Sequence, residues 1–173
     1  MSDDEASMAK IDLNSVKNKK TVDKRANKTP DEWRMLVLMA RDAEPENALN
    51  SGHAFIAAMT YRDDLQSFDT NAVFGLYPVE GSTWGVINAP AEVEIKEDDQ
   101  YPSSALIVWT NKAQHASALA LKDNYARQGD FTLIFNDCVS FMKEIATLCD
   151  LEQPSTDDRL YPIHYVNGLI DKN

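Results

Sequence analysis

Cys138 is the residue of this chain best suited to covalent chemistry. It stands at the start of Cys138–Leu148, a segment in which Phe141, Ile145 and Leu148 fall on one helical face. At a helix N-terminus the free amides and the dipole favour negative charge, so a thiol there is drawn toward thiolate. The same amides can stabilise an oxyanion forming on an attacked carbonyl. The competing reading is a small buried residue that merely opens a helix. Cys149 closes the same segment, where the dipole opposes a thiolate, and reads as a structural thiol. A cysteine nucleophile needs a base, and the sequence offers His53, His115 and His164. His53 follows a glycine and opens the apolar run His53–Tyr61, where an imidazole can face a cleft mouth. His115 lies near the start of a polar helix and reads as exposed. His164, in the run Pro162–Tyr165, reads as a packing or surface residue. His53 is the preferred partner of Cys138.

The elements that must position this pair can be read from periodicity. Met35–Ala40 is a short unbroken apolar run, a buried first strand. His53–Tyr61 and Ala72–Tyr77 follow, the second ended by Pro78, and suit an antiparallel pair. Val93–Ile95 alternates, and Ala105–Trp109 is a further strand. From Lys112 to Gln128 the spacing turns helical, with Ala116, Leu119, Ala120 and Tyr125 on one face and Gly129 as the stop. Phe131–Phe135 is another short extended piece, and Ile163–Ile170 a last helix. The sum is an α+β domain with a mainly antiparallel sheet, over residues 31–173. Residues 1–30 hold few large apolar side chains and read as a polar, flexible leader.

Composition narrows the class. The chain has 173 residues, 17 of them basic and 28 acidic, for a net charge of −11. Residues 1–30 carry seven basic and five acidic groups, which leaves −13 on the body. A nucleic-acid binder needs a basic face to displace counterions, so no nucleic-acid partner is expected. No run approaches the roughly 18 apolar residues of a membrane span, and stable membrane insertion is not expected. Two cysteines make no disulfide framework, and no histidine has a second ligand at metal-binding spacing. Neither a metal nor another cofactor is called for.

Three segments together resemble the circularly permuted papain-like hydrolases of NlpC type: Gly52-His53-Ala54-Phe55, Phe74-Gly75-Leu76-Tyr77-Pro78 and Asn136-Asp137-Cys138-Val139-Ser140-Phe141. In that group the histidine strand precedes the cysteine helix. The resemblance spans about residues 34–150, and its specificity lies in the combined order of the three pieces. It implies a sheet packed against the helix that carries Cys138, with Cys138 as nucleophile and His53 as base. It also implies a third polar residue that orients the imidazole. A hairpin of 53–60 with 72–77 sets His53 opposite Tyr77 to Glu80, so Glu80 by charge or Tyr77 by its hydroxyl are candidates, with Asp42 and Asn71 in reserve. Asn136 holds the oxyanion, pins the turn before the helix, or serves as an Asx-type cap for that helix. Trp84, Trp109 and Tyr101 either line a substrate groove or serve as core or rim packing.

The implied activity is hydrolysis of an amide bond in peptidoglycan or a peptide. The implied setting is an antibacterial effector made in the cytoplasm, exported without a cleaved signal peptide, and active in the periplasm of a target cell. A secretion-system carrier and an immunity protein are its expected partners. The same fold also serves acyltransferases, lipases and protein-directed proteases. A non-enzymatic binding or immunity-type protein is the alternative from another class, and the acidic body would suit a basic partner.

Overall fold

Strand β2 (Arg34–Arg41) is apolar without a break from Met35 to Ala40, and all six of these residues are buried. Such a run belongs to a strand covered on both faces. In a computed structural model of the chain, β2 lies inside a sheet whose other strands are β1 (Asn18–Asp23), β3 (His53–Arg62), β4 (Ser67–Pro78), β5 (Ala89–Glu94), β6 (Ser104–Thr110) and β7 (Asp130–Phe131). Among the described residues three helices complete the α+β fold: α1 (Lys112–Gln128), α2 (Cys138–Leu148) and α3 (Pro162–Lys172). The structure describes residues 11–25, 34–43, 52–62, 67–78, 89–94, 101–128, 130–131, 137–155 and 161–173.

The strand order is β1-β6-β2-β3-β4-β5-β7. Antiparallel pairing prevails among these strands, but β1 runs parallel to β6, so the sheet is mixed. Successive side chains of a strand alternate between faces, and here each face has its own core. On one, Leu36, Leu38, Ala54, Ile56, Phe74 and Leu106 meet Phe141 and Ile145 of α2 and Tyr165 and Leu169 of α3. On the other, Met35, Val37, Met39, Phe55, Ala57 and Met59 gather with Val16, and Ile11 and Leu13 pack at the margin. Each fully buried side chain of this size contributes about 1.5–3 kcal/mol, so both faces hold the sheet.

Two expectations are corrected. Residues 1–30 are not a detached leader throughout: residues 18–23 form β1, and Val16 is buried in the second core. Polar composition hid this because β1 contributes through its backbone pairing and its lysine ends, not through buried apolar side chains. Lys20 Nζ donates to the Ile170 carbonyl at 3.1 Å and Lys24 Nζ to the Asp150 carbonyl at 3.0 Å, near the C-terminal ends of α3 and α2. Residues 1–10 and 26–30 lie outside the described residues. The face of α1 is also turned: His115, Ala118 and Tyr125 are buried, while Ala116 and Ala120 are exposed. Alanines on every side of α1 left its periodicity without a clear direction. His115, read as an exposed residue, therefore lies beneath the helix.

Candidate active site

Helix α2 begins at Cys138 because Asp137 caps it. Asp137 is extended (φ −117°, ψ −180°), and its Oδ1 accepts from the Ser140 amide at 2.7 Å. Asp137 is 2% exposed, so the cap sits inside the protein. Behind it, Phe141 holds the helix on the sheet, edge-on to Tyr125 at 4.7 Å and to Phe74 at 5.8 Å. The Tyr125 hydroxyl in turn donates to Glu144 of α2.

Cys138 is half-buried as a residue, and its sulfur meets the backbone amide of Ala54 in β3. That amide is available for a reason that pairing geometry supplies. The Ala40 carbonyl accepts from Ser103, on the β6 side of β2. Ala40 is the β2 partner of Ala54, so alternation directs the Ala54 amide away from β2 and toward β4. The β3–β4 ladder stops at its last partners, Phe55 and Gly75. The Ala54 amide therefore stands in the fork where β3 and β4 part, and the thiol of Cys138 fills it.

The helix terminus does act on the thiol as the sequence suggested, through the amides of Val139 and of Cys138 itself. Burial outweighs it. Desolvation pushes the Cys138 thiol up to about 12, and the Asp137 carboxylate beside it adds to the rise. The expected lowering at the helix start is thus reversed in this resting arrangement. Cys149 is fully buried at the end of α2 and is likewise pushed up to about 12, chiefly by burial, in keeping with a structural thiol.

His53 opens β3 after Gly52, whose φ of +88° is a conformation that favours glycine. A side chain at Gly52 would also press on the Arg41 carbonyl, 2.6 Å from an ideal Cβ. His53 is 4% exposed and stacks parallel to the Phe55 ring, with centroids 5.9 Å apart. Its Nε2 intrudes on the space that a Cβ on Gly75 would need. By alternation His53, Phe55 and Gly75 share one face, whereas Ala54 and Cys138 belong to the helix-covered face. Thiol and imidazole thus approach the same fork from opposite faces of the sheet. No hydrogen bond joins Cys138 to His53.

The remaining candidates separate. The β3–β4 register, carried two residues past its last partners, sets the backbone of Tyr77 across from His53. Asp42 is exposed and adjoins Gly52, next to the same strand end. Asn71 is eliminated as a third residue: it sits at the bulge near Ala58, bonded to Thr60 Oγ1 at 2.6 Å and about 20 Å along β4 from position 77. Glu80, Trp84 and Asn136 lie outside the described residues. Trp109 packs at the second core with the Arg25 guanidinium 4.7 Å over its ring, and Tyr101 is 67% exposed. His164 is exposed beside Tyr161, with ring centroids 5.3 Å apart.

Three participants escaped the reading of the sequence. The Ala54 amide depends on register and carries no side-chain signal. Asp137 has one, an acid three residues before Ser140 at a helix start. Gly75 has another, a glycine inside a strand, which marks close approach by a neighbour. Among the described residues no group of three His, Cys, Asp or Glu side chains gathers as metal ligands, and no helix is long and apolar enough to cross a membrane. Comparison of the chain with protein-family models, curated proteins and solved structures returned no match.

Proposed function

We propose that this chain is a cysteine-nucleophile hydrolase of amide bonds, of permuted papain-like (NlpC-type) architecture, acting on peptidoglycan as an exported effector toxin. The observation that carries the reading is the seat of Cys138: first residue of a capped helix, its sulfur against the amide next to His53 in sequence. In the reaction, the Cys138 thiol gives its proton to His53 across the fork, and the thiolate attacks the amide carbon. The amides of Ala54 and Val139 are at hand for the oxyanion. The C–N bond then breaks as His53 passes its proton to the leaving amine, and water hydrolyses the thioester to a carboxylate and the free thiol. Tyr77 is the preferred group to orient the imidazole.

The resting thiol is protonated at neutral pH, so catalysis on this reading requires the imidazole to reach it across the fork, a movement open to the free protein as well as to the substrate complex. Digestion of purified peptidoglycan by the wild type, Cys138→Ala and His53→Ala, with products read by mass spectrometry, tests the proposal. Defined muropeptides from the wild type are expected, with a loss of at least about a hundredfold in both variants. Wild-type activity retained in Cys138→Ala would sink it.

A second reading has its own observation. A desolvated thiol and an imidazole on opposite faces of a sheet are what a non-enzymatic binding or immunity-type protein can carry without cost. Such a protein would release no product from peptidoglycan, peptide or ester substrates, and would alkylate at Cys138 no faster at pH 7 in the wild type than in His53→Ala.

A further inference from the structure

We propose that Gly75 is a positioning residue, the seat that holds the His53 imidazole at the fork opposite Cys138. This role rests on the Cys138–His53 reading of the site. Glycine is unfavourable inside a strand relative to alanine, and at Gly75 the backbone does not call for it: among the described glycines the left-handed conformation belongs to Gly52. What requires glycine there is room. An ideal Cβ would clash with Nε2 of His53 and would lie 3.1 Å from both Cε1 of His53 and Cβ of Phe55.

Phe55 and Gly75 are cross-strand partners, so the imidazole lies flat on the Phe55 ring with its tip over the neighbouring strand. That diagonal reach carries Nε2 from the start of β3 to Gly75, the last residue of β4 that pairs with β3. The Ala54 amide that the thiol meets lies one residue before Phe55, on the other face of the same strand end. A methyl group at position 75 would collide chiefly with the far end of the His53 side chain and press lightly on the Phe55 Cβ, with no backbone atom among the nearest, so the fold can keep its shape with a small adjustment while the imidazole gives way. A positioning role and a structural role therefore predict different outcomes.

The experiment follows the His53 ring by NMR, with resonances assigned by loss in His53→Gln, in the wild type and Gly75→Ala. The pH profile of Cys138 alkylation by iodoacetamide is measured in both and in His53→Ala, with peptide mapping to separate Cys138 from Cys149. In Gly75→Ala the His53 signals are expected to shift, Cys138 alkylation near pH 7 to fall at least about tenfold, and the melting temperature to hold. Unmoved His53 signals would overturn the seat. Shifted signals with a wild-type alkylation profile, while His53→Ala alters it, would overturn its service to Cys138. If His53→Ala also leaves the profile unchanged, the dyad itself fails and the positioning role with it, while the NMR shift still reports the contact.

Discussion

The most informative single residue beside Cys138 is Asp137, because it has two opposing effects. As the cap of α2 it satisfies the Ser140 amide, and Asp137→Ala should cost about 0.5–2 kcal/mol in urea unfolding. As a buried carboxylate next to Cys138 it raises the thiol. Asp137→Asn keeps a capping oxygen and removes the charge, so Cys138 should titrate lower and alkylate faster at a given pH than in the wild type. Slower alkylation would mean that the carboxylate does not act on the thiol by charge. His115 gives a second test at this scale. Burial holds its pKa below 6.5, and Arg34 adds to the depression. The folded state therefore resists the proton that the unfolded chain accepts. Stability is full above about 6.5 and falls as pH drops through that value, until the folded histidine titrates as well. Unfolding in urea at pH 7.5 and 5 should show a smaller drop for His115→Leu than for the wild type.

At the scale of elements, β1 is the strand that composition concealed. Its side chains are largely exposed, and its contribution comes from pairing with β6 and from ties to the helices. Asn18 Nδ2 donates to Asn167 Oδ1 at 2.7 Å, and Ser104 Oγ bonds the same oxygen at 2.6 Å, which joins β1, β6 and α3. Deleting residues 1–25 removes that clasp and uncovers the second core where Val16, Ile11 and Leu13 pack. The deletion should lower stability by several kcal/mol, read as a shift in urea midpoint. A flexible leader would leave the midpoint unchanged. Strands β2, β3 and β4 were legible as apolar runs, since burial leaves few residue types that serve. The order that places β6 between β1 and β2 was not, because pairing partners distant in sequence leave no local mark.

For the molecule as a whole, the decisive feature is a sheet buried on both sides. Leu38 and Met39 are neighbours in β2, each fully buried, one in each core. Leu38→Ala and Met39→Ala should therefore each cost about 2–5 kcal/mol. A sheet covered by helices alone would leave Met39→Ala within about 0.5 kcal/mol, and chemical unfolding distinguishes the two. The same arrangement bears on function, since it puts the imidazole and the thiol on different faces and makes the end of the β3–β4 ladder the place where they can meet.

The sequence by itself determined the elements and the chemically able residues. Apolar runs marked β2, β3 and β6, helical spacing marked α1 and α2, and a thiol at a helix start pointed to Cys138. These are local properties, set by residue type and by periods of two and 3.6. The tertiary structure decided what those residues experience. Burial, not the helix dipole, governs the Cys138 thiol. Alternation along β3 sends His53 and Ala54 to opposite faces, and the ladder's end at Phe55 and Gly75 frees the amide that the sulfur meets. Desolvation and register depend on which strands lie side by side, and that is fixed only when the whole sheet has assembled.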